Sequence, residues 1–386
     1  MSEAAEEIAE PGEHAVTPLE LFFDLVFVFA ITQVTSLLTH DPSWHVVFRG
    51  LLVLAAVWWA WTGYAWLTST LDVDEGGVRL AMLTAMAAML GVALAVPGAF
   101  GSDAVLFGFS YLLVRVFHVV LYGRAVRDDP DFLGAVLRLA PSELAGALLI
   151  VVAGFLSGDA RIALWIFALV IDYGGPAVVD VHGWRIAPQH FAERHGLIVL
   201  IALGESVIAI GVGAGFALTK GVIAGAALGV VVISALWWLY FDVAAIFTRT
   251  RLVEARGVDQ VRLARDAYSY LHLPLIAGIV LFAFGLKTTL HHVDDALDIV
   301  PATALCGGVA LYLLGHVAYL FRATGRIFRR RSIGAVVLLL LVPAAAAIPA
   351  LAALALVSAV CSFVVAYEAL RYRSHRMRVR HPELAA

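Results

Sequence analysis

A chain of 386 residues that is 62% hydrophobic and 15% charged, with a mean hydropathy of +0.90, is too apolar for a water-soluble enzyme; such a domain carries about a quarter charged residues. The net charge of −4 conceals an uneven distribution, and no nucleic-acid partner is expected. Cys306 and Cys361 both fall in apolar runs, which leaves no basis for a disulfide or a cysteine-based zinc site.

Residues 1–18 hold Glu3, Glu6, Glu7, Glu10 and Glu13 and no Lys or Arg, the opposite of a signal-peptide start, so they read as an acidic tail. A membrane crossing takes about 20 apolar residues. That ruler predicts twelve spans: 19–39, 46–68, 78–97, 103–123, 142–158, 161–179, 195–217, 221–247, 268–288, 301–321, 333–348 and 350–370. The eleventh is the weakest, because Pro343 and Pro349 interrupt one apolar stretch.

In the first span Glu20 and Asp24 are four residues apart and share one helix face. Ionisable groups inside hydrocarbon are costly, so each needs a partner or a use. Asp24 lies about 7 Å, and Arg115 of the fourth span about 12 Å, from the same membrane face. An Asp24–Arg115 pair is therefore expected, with His118 on the Arg115 face able to join it. Asp172 falls in the sixth span, Glu205 near the middle of the seventh, Asp242 in the eighth, His272 in the ninth and His316 in the tenth. Glu205 reads as a lone acid at the midplane, a possible proton carrier. His190, Glu193 and His195 look metal-like, but their spacing has one residue too many for an H-x-x-E-H zinc motif, and no metal is expected. Gly211 and Gly215, and Gly221, Gly225 and Gly229, have the four-residue spacing of close helix packing. Trp58, Trp59, Trp61 and Trp66 read as packing and interface anchors. His291, His292, Asp294, Asp295 and Asp298 gather in a loop.

With twelve spans, 21 of the 26 basic residues fall on one side, which by the positive-inside rule is the cytoplasm and holds both termini. Residues 371–386 then form a basic anchor. Spans 1–6 also match spans 7–12 in three places: Trp58-Trp59-Ala60-Trp61 with Trp237-Trp238-Leu239-Tyr240, Val78-Arg79-Leu80-Ala81 with Val261-Arg262-Leu263-Ala264, and Tyr111-Leu112-Leu113-Val114-Arg115 with Tyr312-Leu313-Leu314-Gly315-His316. The order is the same in both, which points to a duplication with halves at 19–180 and 190–370. Six crossings per half give both the same orientation.

The segment from Glu20 to Gln33, ELFFDLVFVFAITQ, resembles a signature of the bacterial low temperature requirement A (LtrA) family. His190-Phe191-Ala192-Glu193-Arg194-His195-Gly196-Leu197, continuing to Gly204-Glu205-Ser206, resembles the second signature of that family. The resemblance implies a polytopic bacterial membrane protein and brings no established reaction with it.

The expected fold is an all-α polytopic membrane protein of about twelve helices in two parallel six-helix repeats, in the bacterial cytoplasmic membrane. The expected function is handling of protons or a small ion by a transporter or channel. Glu20, Asp24, Arg115, His118, Asp172, Glu193, His195, Glu205 and His316 are the candidates for the path. No cofactor is expected, and the partners are the lipid bilayer and a small ion or small molecule. A membrane-embedded enzyme or lipid-binding protein and a non-transporting scaffold are the alternatives, and no catalytic motif supports the first of them.

Overall fold

The computed structural model describes residues 15–71, 76–215 and 218–371, and within them every regular element is helical. The acidic residues 1–14 and the basic residues 372–386 lie outside the described residues. Helix α1 (Pro18–His40) opens on a capping box: the Glu20 amide donates to the Thr17 hydroxyl at 3.3 Å, and the Thr17 amide donates to the Glu20 carboxylate at 2.9 Å. Pro18 at the first helical position has no amide hydrogen to leave unsatisfied. Helices α2 (Trp44–Thr68), α3 (Gly76–Ala95) and α4 (Ala104–Ala125) follow close to their expected positions.

Helix α5 (Pro130–Gly154) corrects the expected fifth span, which starts too late and runs through the turn before α6 (Gly158–Val178). Asp131 and Arg138 read as loop residues, but the helix starts at Pro130, where Asp129 accepts the Phe132 amide at 3.1 Å. Pro141 lies inside it without ending it. Apolar surroundings leave the backbone no partner but itself, so helical structure persists through a residue that would break it in water.

Helix α7 (Pro188–Ala214) again opens on proline. The expected eighth span is broken at Asp242-Val243 into α8 (Lys220–Phe241) and α9 (Ala244–Glu254). A short α10 (Gly257–Leu263) and a π-helical stretch, Ala264–Tyr270, lead into α11 (His272–His291). Then come α12 (Ile299–Thr324), α13 (Arg329–Ala345) and α14 (Ala350–Arg371). Among the described residues, eleven helices are long and apolar enough to cross a membrane. The expected eleventh span is the exception: α13 has 17 residues, starts with Arg329-Arg330-Arg331 and contains Pro343.

Helix α1 packs on α2 and α3, after which α3 packs on α4, α4 on α5, α5 on α6, and α6 returns to α2. From α7 the order is α7 on α8 and α11, α11 on α12, α12 on α13, α13 on α14, and α14 back on α8. Contacts of α1 with α7 and α11 join the two sets. Helices α11 and α12 approach closely. A side chain at Gly278 would meet the Gly308 carbonyl at 2.6 Å, and one at Gly308 would meet the Phe282 amide at 2.6 Å. Of the glycines expected to pack, Gly225 and Gly229 face Leu290 and Leu286 of α11, whereas Gly211 and Gly215 face open space. Outward-facing Leu80, Phe109, Leu137, Phe155, Val170 and Phe363 are exposed, as an apolar solvent requires. Trp58, Trp59 and Trp61 are buried in the interior and are not interface anchors.

Candidate functional site

Four groups of polar side chains sit inside the bundle. The first lies where α1 meets α7. Arg194 donates through Nη1 to Glu20 at 2.9 Å and to the Thr68 hydroxyl at 2.6 Å, and through Nη2 to Asp24 at 2.5 Å. Trp61 Nε1 also donates to Asp24, at 2.8 Å, and His190 Nε2 lies 3.1 Å from Glu20. The α1–α7 contacts come at sequence separations of 170 for Glu20–His190, 170 for Asp24–Arg194 and 173 for Thr32–Glu205. A nearly constant offset means that the two helices run parallel and in register.

The expected Asp24–Arg115 pair does not form. Arg115 turns toward α6 and α5, donating to Asp172 at 2.7 Å and standing 3.5 Å from Glu143. Depths of about 7 and 12 Å bring Asp24 and Arg115 within side-chain reach of one another, but depth does not tell which way each helix face points. Tyr111 donates to the second Asp172 oxygen at 3.1 Å, and Arg115 also donates to the Trp59 carbonyl at 3.4 Å.

His118 does join Arg115, through Glu143. Its Nε2 lies 3.0 Å from the Gly63 carbonyl and its Nδ1 lies 3.0 Å from Glu143 Oε2. A carbonyl oxygen can only accept, so Nε2 carries a hydrogen. The Nδ1 contact then needs a hydrogen of its own, on the imidazole or on the carboxyl. His118 and Glu143 therefore share one proton. Gly63 permits the arrangement, since a side chain there would meet the His118 ring at 3.1 Å.

Above this group opens a cleft of about 70 Å³, room for a few water molecules. Trp59, Trp66, Trp184 and Tyr122 wall it, Arg115, His118 and Glu143 form its floor, and Asp180 and Arg265 stand at its mouth. The mouth lies at the end of the bundle where α1 and α7 begin. The Ala187 amide bonds the Ser69 carbonyl there, and Arg185 lies 3.0 Å from Asp129. The His182 amide donates to Asp180 at 3.1 Å and holds that carboxyl below its ordinary range.

Glu205 is buried but not alone, because the Thr32 hydroxyl lies 2.5 Å from its Oε2. The same hydroxyl is 3.1 Å from the Val28 carbonyl. The Thr32 hydroxyl donates to Glu205 and has the Val28 carbonyl as a second acceptor within reach, so its one hydrogen is shared unless Glu205 carries a proton of its own. Thr35 and Thr39 continue along α1 toward a cavity of about 230 Å³ at the opposite end, lined by Thr39, Thr288, His291, His292, Asp295 and Asp298.

The remaining candidates separate. Glu193 is exposed on the outer face of α7, away from the Arg194 group. His195 donates from Nδ1 to the Phe191 carbonyl at 2.9 Å and packs edge-on to Trp61 and His272. His272 Nε2 meets the Tyr240 hydroxyl at 2.8 Å. His316 is fully buried beside Tyr312 and Tyr319, with no hydrogen-bond partner among the described residues. These histidines form an aromatic packing group with no ion pair among the described contacts. Glu143 and Arg194 are the missed partners: Glu143 stands at the edge of the expected fifth span, two residues after Pro141, and Arg194 between Glu193 and His195 in the second signature.

A bundle of crossing-length apolar helices with ion pairs sealed in its interior and hydrocarbon side chains outside is a multi-pass membrane protein in a lipid bilayer. The chain belongs to a particular family of them: the model of the bacterial low temperature requirement A protein (LtrA) matches residues 15–366. A protein of Rhizobium meliloti (strain 1021), named uncharacterized protein RA0937, is 30% identical over 331 residues, covering 80% of this chain and 77% of its own length. No solved structure matches the chain.

Proposed function

We propose that the protein is a proton-coupled transporter of a small ion or molecule, with His118–Glu143 and Glu205 as its two protonation stations. The observation that carries this reading is the proton His118 and Glu143 must share at the floor of a cleft open to one end of the bundle. Glu205 lies toward the other end, about 16 Å along α7 from Arg194. Asp24, Arg194, Trp61 and His195 pack together where α1, α2 and α7 meet. The helices have to rearrange for either station to reach the other side.

Two parallel repeats, 19–180 and 190–370, fit this reading. The same order of helix neighbours in both sets and the in-register α1 and α7 support them. Arg124, Arg127, Arg185, Arg256 and Arg326 lie at the end where α1 and α7 begin, so that end faces the cytoplasm.

Proteoliposomes under an imposed pH gradient test the function. The native chain should dissipate the gradient, whereas Glu143→Gln and Glu205→Gln should fold and stop the flux. A native chain no leakier than empty liposomes would refute the proposal, as would full flux in both variants.

A further inference from the structure

We infer that the cleft over Glu143 takes a small organic cation, an alkylammonium or quaternary ammonium group, in exchange for the proton held between His118 and Glu143. The inference rests on the proton-coupled reading above and names its substrate class. Three independent features of the cleft carry it.

The first is the walls. Trp59, Trp66, Trp184 and Tyr122 surround a small volume, and the negative face of an aromatic ring attracts a cation that has shed its water. The indole N–H of Trp66 is already given to the Ser269 hydroxyl at 2.9 Å.

The second is the charge ledger. Arg265 is held by Asp266 at 2.8 Å and donates to the Pro176 carbonyl at 2.8 Å, and Arg115 is held by Asp172 at 2.7 Å. The positive groups at the cleft are therefore engaged, apart from the Arg115 Nε–H. Arg115 and Asp172 cancel, so the charge on Glu143 is balanced by the shared proton. Asp180 at the mouth, bonded by the His182 amide and 3.4 Å from the His182 ring nitrogen, presents a carboxylate to an incoming ligand.

The third is unfilled bonding capacity. Both contacts of Glu143 fall on Oε2, which leaves Oε1 for a ligand. The Thr62 hydroxyl also lines the cleft, is buried and has no partner among the described residues. A carboxylate oxygen and a hydroxyl oxygen beside aromatic faces suit an ammonium ion better than an anion.

The exchange conserves charge: a monocation enters beside Glu143, the shared proton leaves, and His118 stays neutral with its Nε2–H on Gly63. The other charged or titratable groups near the pair are Arg115, Tyr111 and Tyr122 on α4, Tyr64 on α2, Asp172 on α6, and Asp180 and Arg265 at the mouth. Arg115 holds Asp172 as an ion pair at 2.7 Å, so the proton shared by His118 and Glu143 is the one the exchange releases.

The test uses the purified full chain in detergent, with tetramethylammonium and methylammonium chloride as probes and sodium chloride and sodium phosphate as controls. Calorimetry and tryptophan fluorescence should show saturable binding of an ammonium probe. Affinity should rise by up to about tenfold per pH unit, with one proton released per cation in weak buffer. Glu143→Gln should abolish binding. Trp184→Leu, in the cleft wall and outside the buried ion pairs, should weaken it about tenfold and serves if Glu143→Gln does not fold. A protein that moves protons in liposomes but binds neither ammonium probe would overturn this inference and leave the transport reading intact. Ammonium binding with proton release but no flux would do the reverse. Saturable phosphate binding in place of ammonium, or pH-independent ammonium binding, would also overturn the inference.

Discussion

Glu20 and His190 are each the third residue of a helix that opens with proline, stand 170 residues apart in sequence, and meet at 3.1 Å. One turn further along, Asp24 and Arg194 repeat the relationship at 2.5 Å, again 170 residues apart. Both acids lie on α1 and both basic side chains on α7, so neither helix can make the same contacts with a second copy of itself.

Arg194 bridges two carboxylates, and its loss leaves Asp24 with the Trp61 indole and Glu20 with His190 and Thr17. Arg194→Met should destabilise the protein by about 3–5 kcal/mol, the range for removing one member of a buried pair. Arg194→Lys should recover only part of this, since a single ammonium does not present the two-pronged geometry. Thermal unfolding in detergent would measure the order native, Lys, Met; a Met variant as stable as the native chain would contradict the bridging role.

Asp24 and Arg115 belong to different groups and share no partner. A double-mutant cycle of Asp24→Asn with Arg115→Gln should therefore be additive within about 0.5 kcal/mol. The cycle of Asp172→Asn with Arg115→Gln should show coupling of about 1–3 kcal/mol. Coupling in the first cycle and none in the second would reverse the assignment.

Gly278 and Gly308 set the separation of α11 and α12. Gly278→Ala should cost about 1–3 kcal/mol by forcing the backbones apart. Gly211→Ala, at a position facing open space, should be near neutral or slightly stabilising. Equal effects at the two sites would show that the close approach does not matter for stability.

Both native cysteines are buried, so introduced ones can be labelled selectively. Single cysteines at Arg185 and Asp294 should react with an impermeant maleimide from opposite faces of the membrane, with Arg185 protected in intact cells. Labelling of both from one face would break the alternation of crossings between α6 and α11.

Much of the bundle was legible in the sequence because a crossing helix is a matter of length and hydropathy, and both can be counted. The errors came where helix extends past the apolar run: Pro141 lies inside α5, and the charged residues Asp131 and Arg138 ahead of it interrupt the hydropathy but not the helix. Arg115, His118 and Asp172 were each legible as an ionisable residue inside an apolar run, and His118 as a neighbour of Arg115 on one helix face. Their pairing was not, because depth is readable from a one-dimensional count and azimuth is not. Glu143 was hidden by its position at the edge of the expected fifth span, and Arg194 by the two flanking residues that looked like metal ligands.

The parallel register of α1 and α7 has a consequence in time. At about 5–20 residues per second, the 170 residues between Asp24 and Arg194 take roughly 10–30 s to synthesise. For that interval α1 has left the ribosome with two carboxylates and no guanidinium to meet them, so it has to stay hydrated near the headgroups or protonate its acids. Arrival of α7 is then the event that commits α1 to its final depth.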